Sequence, residues 1–317
     1  MNLLDGMRYL VALEQQRHFG RAAQACGITQ PALSNALRAL EKELGVAIVR
    51  RGRSYEGLTP EGQRVLDTAH RLLRESELLR ADLHSDAGRP QGSVSIGAVP
   101  TSVPIAARFA AKLRARYPGI LPIVRSLSSA EIEVGIENLA LDLALGYTDR
   151  IAPRNTRLRA LPQYVEQYFV LRRAPGSAPV PGALRFGPAI TWREAGGLAH
   201  CMLTPEMHNR AIVDGAFRTA GVEVLPAIET NSIMTLVLSV LDGDVCAVLP
   251  GALVAIARGY GGLEALPLRA PEVHTPIGFM LATAAPPTRA LEAALTLAQD
   301  GAWLRHAAAH SGLMTAS

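Results

Sequence analysis

Cysteine is scarce, with only Cys26, Cys201 and Cys246, far apart in 317 positions. With no CxxC pair and no Cys/His cluster, the chain has neither a disulfide framework nor a zinc site in prospect, and it fits a reducing compartment. Lysine is scarcer still: Lys42 and Lys112 are the only two among 32 basic residues, so the positive charge is carried by arginine. The opening MNLLDGMRYL holds Asp5 and no apolar core, so a secretory signal is not expected. The most apolar stretch, residues 232–255, is broken by Asp242, Gly243 and Asp244. Its charge-free pieces fall short of the ~20 residues of a spanning helix, so a cytoplasmic chain without membrane attachment is expected. Catalytic signatures are missing as well. There is no nucleophile elbow, P-loop, strand-linked GxGxxG or HExxH, and the eight histidines form no metal spacing. No enzyme activity, cofactor or metal is therefore expected.

What is present is a chain long enough for two or three domains, 49% hydrophobic and 19% charged, with a net charge of +4. Three zones differ in pattern. Residues 1–60 hold short helical patterns and an arginine-rich glycine segment. Residues 60–85 form one amphipathic stretch whose apolar stripe (Leu66, Ala69, Leu72, Leu73, Leu79, Leu83) predicts a long helix. Thr59 is placed to cap it, with Pro60 at the first helical position. Residues 87–93 then read as a loop. Beyond it, strand and helix patterns alternate at βαβ spacing, predicting an α/β region with a largely parallel sheet. Strands are expected at 94–99, 121–127, 143–147, 169–171, 199–203, 222–228 and 245–249. Helices are expected at 105–117, 130–139, 191–195, 207–220 and 233–241.

The segment FGRAAQACGITQPALSNALR, residues 19–38, carries the spacing of a helix-turn-helix. Ala22, Ala23 and Cys26 are small enough for two helices to cross, Gly27 permits a left-handed turn, and Ile28 is the apolar residue after it. Thr29 can cap the second helix, with Pro31 in its first turn. Leu33, Ala36, Leu37 and Leu40 share one face, while Gln30, Ser34 and Arg38, with Asn35 beside them, share the other. Gln can pair with adenine through two hydrogen bonds, Ser suits base edge or phosphate, and Arg38 is placed for phosphate. Next comes VAIVRRGRSYEGLTPEG, residues 46–62, a two-stranded wing with Arg50, Arg51 and Arg53 around Gly52. Guanidinium groups there would lie on a DNA backbone. Residues 1–60 carry eight positive and five negative side chains, so most of the chain's excess charge sits in its first fifth. The candidate DNA-contacting set is Arg21, Thr29, Gln30, Pro31, Ser34, Asn35, Arg38, Arg50, Arg51, Arg53 and Thr59.

The order AA-x4-ITQPALS-x2-L-x2-LE-x2-LG, followed by R-x7-LTPEG, resembles the N-terminal signature of the LysR-type transcriptional regulators. LDLALG (141–146) and GDVCAVLP (243–250) are similar to motifs of that family's effector domain. Three positions depart from its pattern: Ile48-Val49 replace an apolar–aromatic pair, His18 a serine, and Val245 a glycine. The resemblance implies an α/β chain in three parts. These are a winged helix-turn-helix (1–60), a linker dimerisation helix (61–87), and a two-lobed effector domain (93–300) like the type-2 periplasmic binding proteins. Lobe I would comprise 93–162 and 269–300, and lobe II 163–268, with crossover strands near 161–165 and 266–270. It further implies a homotetramer built as a dimer of dimers on a partly palindromic double-stranded DNA site, with RNA polymerase a further candidate partner. The linker stripe independently suits a partner helix, the alternative being packing against its own domain.

An effector would enter between the lobes and shift the population of two states. Candidate cleft groups stand after strands and at helix starts: Pro100, Thr101 and Ser102; Ser128 and Ser129; Thr204; Asn231 and Ser232. Hydroxyls and amides at helix starts suit an anion, so a small carboxylate is the expected effector. Two other classes share part of this pattern. A periplasmic solute-binding protein would explain the α/β halves but not the first 85 residues. Another kind of winged-helix repressor would lack the long pairing helix.

Overall fold

A computed structural model describes residues 2–51, 55–84, 89–150, 157–174, 180–181, 183–283 and 286–311. Two compact units emerge, the first of Met1–Asp86 with Glu137–Ala140 and the second of Ala87–Ile136 and Leu141–Ser317. In the first, helices α1 (Leu3–Gln16), α2 (Phe19–Ala25) and α3 (Gln30–Leu44) precede the antiparallel wing β1 (Val49–Arg51) and β2 (Tyr55–Leu58). The long helix α4 (Pro60–His84) follows. Leu33, Leu37 and Leu40 of α3 are almost fully buried with Leu10, Leu13, Ala22, Ala23 and Ile48. Each such leucine contributes roughly 1.5–3 kcal/mol by leaving water. His18 does the work of a hydroxyl cap: its Nδ1 accepts from the amides of Gly20 and Arg21 at 3.1 and 3.3 Å.

The wing is tied to the helices by groups of opposite chemistry. The Glu41 carboxylate, near the end of α3, accepts from the amides of Ile48 and Val49 at 2.9 and 3.1 Å. The Tyr55 hydroxyl donates to the Glu14 carboxylate, and its ring meets the edge of Phe19. Gly62 lies so close to Ile48 that an added Cβ would sit 2.1 Å from the Ile48 carbonyl oxygen. A side chain has no room there, which explains the glycine that ends LTPEG. In α4, Leu66 and Ala69 are buried in this unit, whereas Leu72 and Leu79 are 40% and 61% exposed. The helix thus packs its first turns on its own unit, leaves Leu73 half-buried and leaves Leu72 and Leu79 uncovered within the chain.

The second unit holds two lobes. In the first, the sheet order is β4-β3-β5-β16-β6. Its strands are β3 (Gly92–Ala98), β4 (Ile120–Ser126), β5 (Leu143–Tyr147), β6 (Leu158–Glu166) and β16 (Thr275–Ala282). Helices α5 (Val103–Arg116), α6 (Ser129–Glu137), α11 (Arg289–Ala298) and α12 (Gly301–His310) complete it. Trp303 of α12 is buried against Phe109, and its Nε1 donates to Gln163 at 2.6 Å. Ala307 of the same helix is buried in the same core, so α12 belongs to the lobe. Residues 312–317 lie outside the described residues.

The second lobe's sheet runs β10-β15-β7-β13, with β9 on β15. Here β7 is Tyr168–Arg173, β9 Arg185–Phe186, β10 Ile190–Thr191, β13 Ala247–Pro250 and β15 Leu263–Arg269. Around it lie the parallel pair β11 (Cys201–Leu203) and β12 (Ile228–Thr230), and the short antiparallel pair β8 (Val180–Pro181) and β14 (Tyr260–Gly261). Helices α7 (Trp192–Ala195), α8 (His208–Thr219), α9 (Ile233–Asp242) and α10 (Gly251–Val254) pack with them. The expected largely parallel sheet is corrected: β16 is antiparallel to both β5 and β6, and β7 to both β13 and β15. A chain that crosses between lobes and returns must run opposite to its outgoing strand. β6 pairs with β16 as far as Glu166 opposite Thr275, so the outgoing passage falls at Gln167, later than residue 162. The strand expected at 222–228 is reduced to Ile228–Thr230, because Pro226 has no N–H to offer a ladder.

Candidate functional site

In the first unit the site is one face of α3. Thr29 caps the helix, its hydroxyl accepting from the Ala32 amide at 3.4 Å, and Gly27 turns the chain at φ +68°. With Leu33, Leu37 and Leu40 inside, Gln30, Pro31, Asn35 and Arg38 are exposed and Ser34 is half-buried. Among the described residues nothing pairs with Arg38 or with the exposed Arg50. Arg21 is exposed but donates to the Gln16 carbonyl at 2.8 Å, which anchors one end of its guanidinium. The Thr59 hydroxyl is committed locally, donating to the Ala47 carbonyl at 2.6 Å and accepting from the Gly62 amide at 2.9 Å. Thr59 therefore acts as a cap and a wing clasp. Gly52 and Arg53 lie outside the described residues, as does the side chain of Arg51.

In the second unit a cavity of about 10 Å³ opens between the lobes. Pro100, Thr101, Ser128, Ser129 and Tyr147 line it from the first lobe, and Leu203, Met207, His208 and Asn209 from the second. That volume holds about one water molecule, so the lobes are nearly closed on each other. Behind the wall lies a buried polar network. Thr101 and Tyr147 share a hydrogen bond of 2.9 Å, and the Tyr164 hydroxyl donates to Ser102 at 3.3 Å. Tyr168 and Thr275 share one of 3.2 Å, and Asn209 donates to the Tyr168 oxygen at 3.3 Å. The His208 ring meets Tyr147 edge-on at 4.8 Å, while the Arg150 guanidinium lies 3.1 Å from its Nδ1. Arginine can only donate, so Nδ1 accepts and the proton sits on Nε2. Burial, reinforced by Arg150, holds the imidazole pKa below its ordinary value.

The cavity brings together Pro100, Thr101, Ser128 and Ser129 of the expected cleft set. Ser102 stands behind the wall, and Thr204, Asn231 and Ser232 lie outside the lining. Several of the expected anion-binding helix starts are already occupied. Ser128 and Glu131 cap reciprocally, with the Ser128 hydroxyl and amide both donating to Glu131 at 2.8 Å. Thr204 donates to Glu206 at 2.6 Å, and Ser232 is a plain cap for the Thr235 amide. Sequence reading missed Tyr147, His208 and Asn209, although they stand where it looked, at a strand's end and a helix's start. It also missed Glu166, a lone acid ending an apolar crossover strand. That residue is fully buried, both carboxylate oxygens lack a protein hydrogen-bond partner, and burial pushes its pKa to about 8.

Residues 4–63 match the family of bacterial regulatory helix-turn-helix proteins of the lysR type, and residues 87–303 match the LysR substrate binding domain. The chain belongs to the LysR family. It is a DNA-binding transcriptional regulator with an effector-binding domain. A probable hydrogen peroxide-inducible genes activator of Mycobacterium xenopi is 33% identical over 183 residues, 57% of this chain and 94% of that protein. The SDS degradation transcriptional activation protein of a Pseudomonas species is 30% identical over 286 residues, 84% and 85% of the two chains. Among solved structures, full-length CbnR in complex with its target DNA superposes with a TM-score of 0.65 at 18% identity, covering 96% and 99%. At that identity the likeness speaks for the fold. No helix among the regulator's described residues is long and apolar enough to cross a membrane.

Proposed function

We infer that this LysR-type regulator reads a partly palindromic promoter site through the exposed face of α3 and changes its DNA complex when a small effector enters between the lobes. The observation that carries this reading is the cavity itself, walled by both lobes and backed by hydroxyls, on the same chain as a helix-turn-helix whose Arg38 and wing Arg50 have no partner among the described residues. Gln30, Pro31, Ser34 and Asn35 then meet bases, while Arg38, Arg50 and the wing arginines 51 and 53 meet phosphates. Leu72 and Leu79, uncovered on α4, support pairing with a second copy and a homotetramer of two such dimers. The regulator acts in the cytoplasm, where RNA polymerase is the partner it would influence. Footprinting of the DNA flanking its gene tests the reading. Protection over several helical turns is expected, and a single short footprint would remove the tetramer.

Hydrogen peroxide is the inducer that one relative's name brings forward. For a cysteine to respond to such an oxidant it must be available as a thiolate. Burial raises the pKa of all three thiols, that of Cys246 to about 12, and Cys201 and Cys246 are almost wholly enclosed. A reversibly bound ligand in the cavity suits these side chains better.

A further inference from the structure

Glu166 ends β6, the strand that carries the chain out of the first lobe, and it pairs in register with Thr275 where the chain re-enters. It is fully enclosed, and its charge adds to the burial that raises the pKa values of the Tyr147, Tyr164 and Tyr168 phenols. All three phenols are engaged elsewhere, with Thr101, Ser102 and Thr275. None donates to the carboxylate, whose two oxygens are without a protein partner. Three positions along the same strand, Gln163 shows how this fold treats a buried polar side chain it means to keep. Its amide donates to the Ala298 carbonyl and its oxygen accepts from Trp303. A carboxylate left without donors behind a cavity wall, linked to it through Thr275, Tyr168 and Asn209, is a different matter, since buried polar groups are almost always satisfied. The cavity wall and the Glu166 surroundings share Tyr147, and Thr101 and Asn209 bond to the same phenols.

Resting on the inter-lobe reading above, we propose that the cavity's ligand carries a protonated amine and that Glu166 is the carboxylate that receives it. An ammonium group supplies both things Glu166 lacks, N–H donors and a compensating charge. On the lining, Ser128 already holds the carboxylate of Glu131, and nearby Arg150 is engaged by Glu133 at 2.9 Å. A cationic effector is thus set against the carboxylate expected from the helix starts. Glu166 also stands at the crossover, so a cation drawn to it acts on the strand that links the lobes.

The test uses the full-length regulator and methylammonium chloride, the smallest alkylammonium probe, against sodium acetate and sodium chloride at equal ionic strength. Methylammonium several times above its Kd is expected to raise the thermal midpoint by about 2 °C beyond the chloride control. The rise should vanish in Glu166→Gln. Because the acid must ionise to bind, methylammonium affinity in the unmutated protein should strengthen about tenfold between pH 7 and pH 9. His208, whose pKa is lowered, and the three phenols, whose pKa values are raised, stay out of that window. This arm holds even if Glu166→Gln fails to fold. Stabilisation by acetate alone, an equal rise in Glu166→Gln, a pH-independent rise, or no rise at all each overturns the proposal. Met207→Trp, which fills the cavity, separates it from the reading beneath. A methylammonium rise that survives there places the ligand elsewhere and overturns the inter-lobe reading too.

Discussion

The DNA-facing helix and the inter-lobe cavity treat polar atoms in opposite ways. On α3 the polar side chains stand in water, free to exchange it for bases and phosphates, and the groups that do bond internally close caps a few residues away. Around the cavity, Thr101, Ser102, Tyr164, Tyr168, Asn209 and Glu166 are buried and bonded, or left unbonded, across 40 or more residues of sequence. A solvated face costs nothing to keep and can be read by any partner that fits it. A buried network is expensive wherever it is incomplete, so its one unsatisfied acid marks the place where something else is accommodated.

The comparison can be broken first at its strongest points. Leu37→Ala empties the core beneath the DNA-facing side of α3 and should cost about 2–5 kcal/mol, read as an earlier urea midpoint for the first unit. DNA binding should fail while the second unit keeps its own transition. Next in size is Glu166→Gln. The folded-state pKa of about 8 lies above the ordinary carboxylate value of 4.5, so the protonated form is the one the fold favours. Its contribution is complete below pH 4.5 and is lost as pH rises toward 8. The unmutated protein should lose stability across that window by an amount on the order of a few kcal/mol, and Glu166→Gln should flatten the slope. A slope unchanged by the substitution would mean that Glu166 is paired after all.

Smaller effects separate base from phosphate contacts on the exposed face. Gln30→Ala should lower preference for the operator over unrelated DNA by about 1–3 kcal/mol, measured by competition binding. Arg38→Ala should weaken both alike and reduce the salt slope by about one. Identical behaviour of the two variants would erase the division. Smallest of all, hydrogen peroxide should leave operator affinity unchanged, because burial keeps the thiols protonated at neutral pH. Loss of affinity on peroxide treatment, absent in Cys201→Ser or Cys246→Ser, would restore an oxidant as the trigger.

Legibility followed distance along the chain. Thr29, Gly27, Pro31 and the Leu33, Leu37, Leu40 stripe could be read because caps, turns and helix faces depend on residues a few positions apart. Gly62 was visible as part of a motif, but its reason, the Ile48 carbonyl against its Cα, was not. The Glu41 bridge to the wing gave no local signal, since any exposed helical glutamate has the same pattern. The strands at 92–98, 120–126, 143–147 and 247–250 were readable within a few residues, whereas β16 was not read and strand directions were not legible. Whether β16 runs with or against β5 depends on where the chain crosses between lobes.

Sequence alone was sufficient for the helix-turn-helix, for the arginine-rich face it presents, for the long helix after it and for the family. These rest on short-range periodicity and on charge that must face water. Tertiary structure decided that Leu66 and Ala69 of α4 are covered while Leu72 and Leu79 are not, which sides the sheets add strands on, and which polar groups share the cavity. It alone distinguished Gln163, fully bonded, from Glu166, three residues on and without a partner. Both are polar residues in one crossover strand, and only the neighbours folded against them from distant segments make one structural and the other receptive.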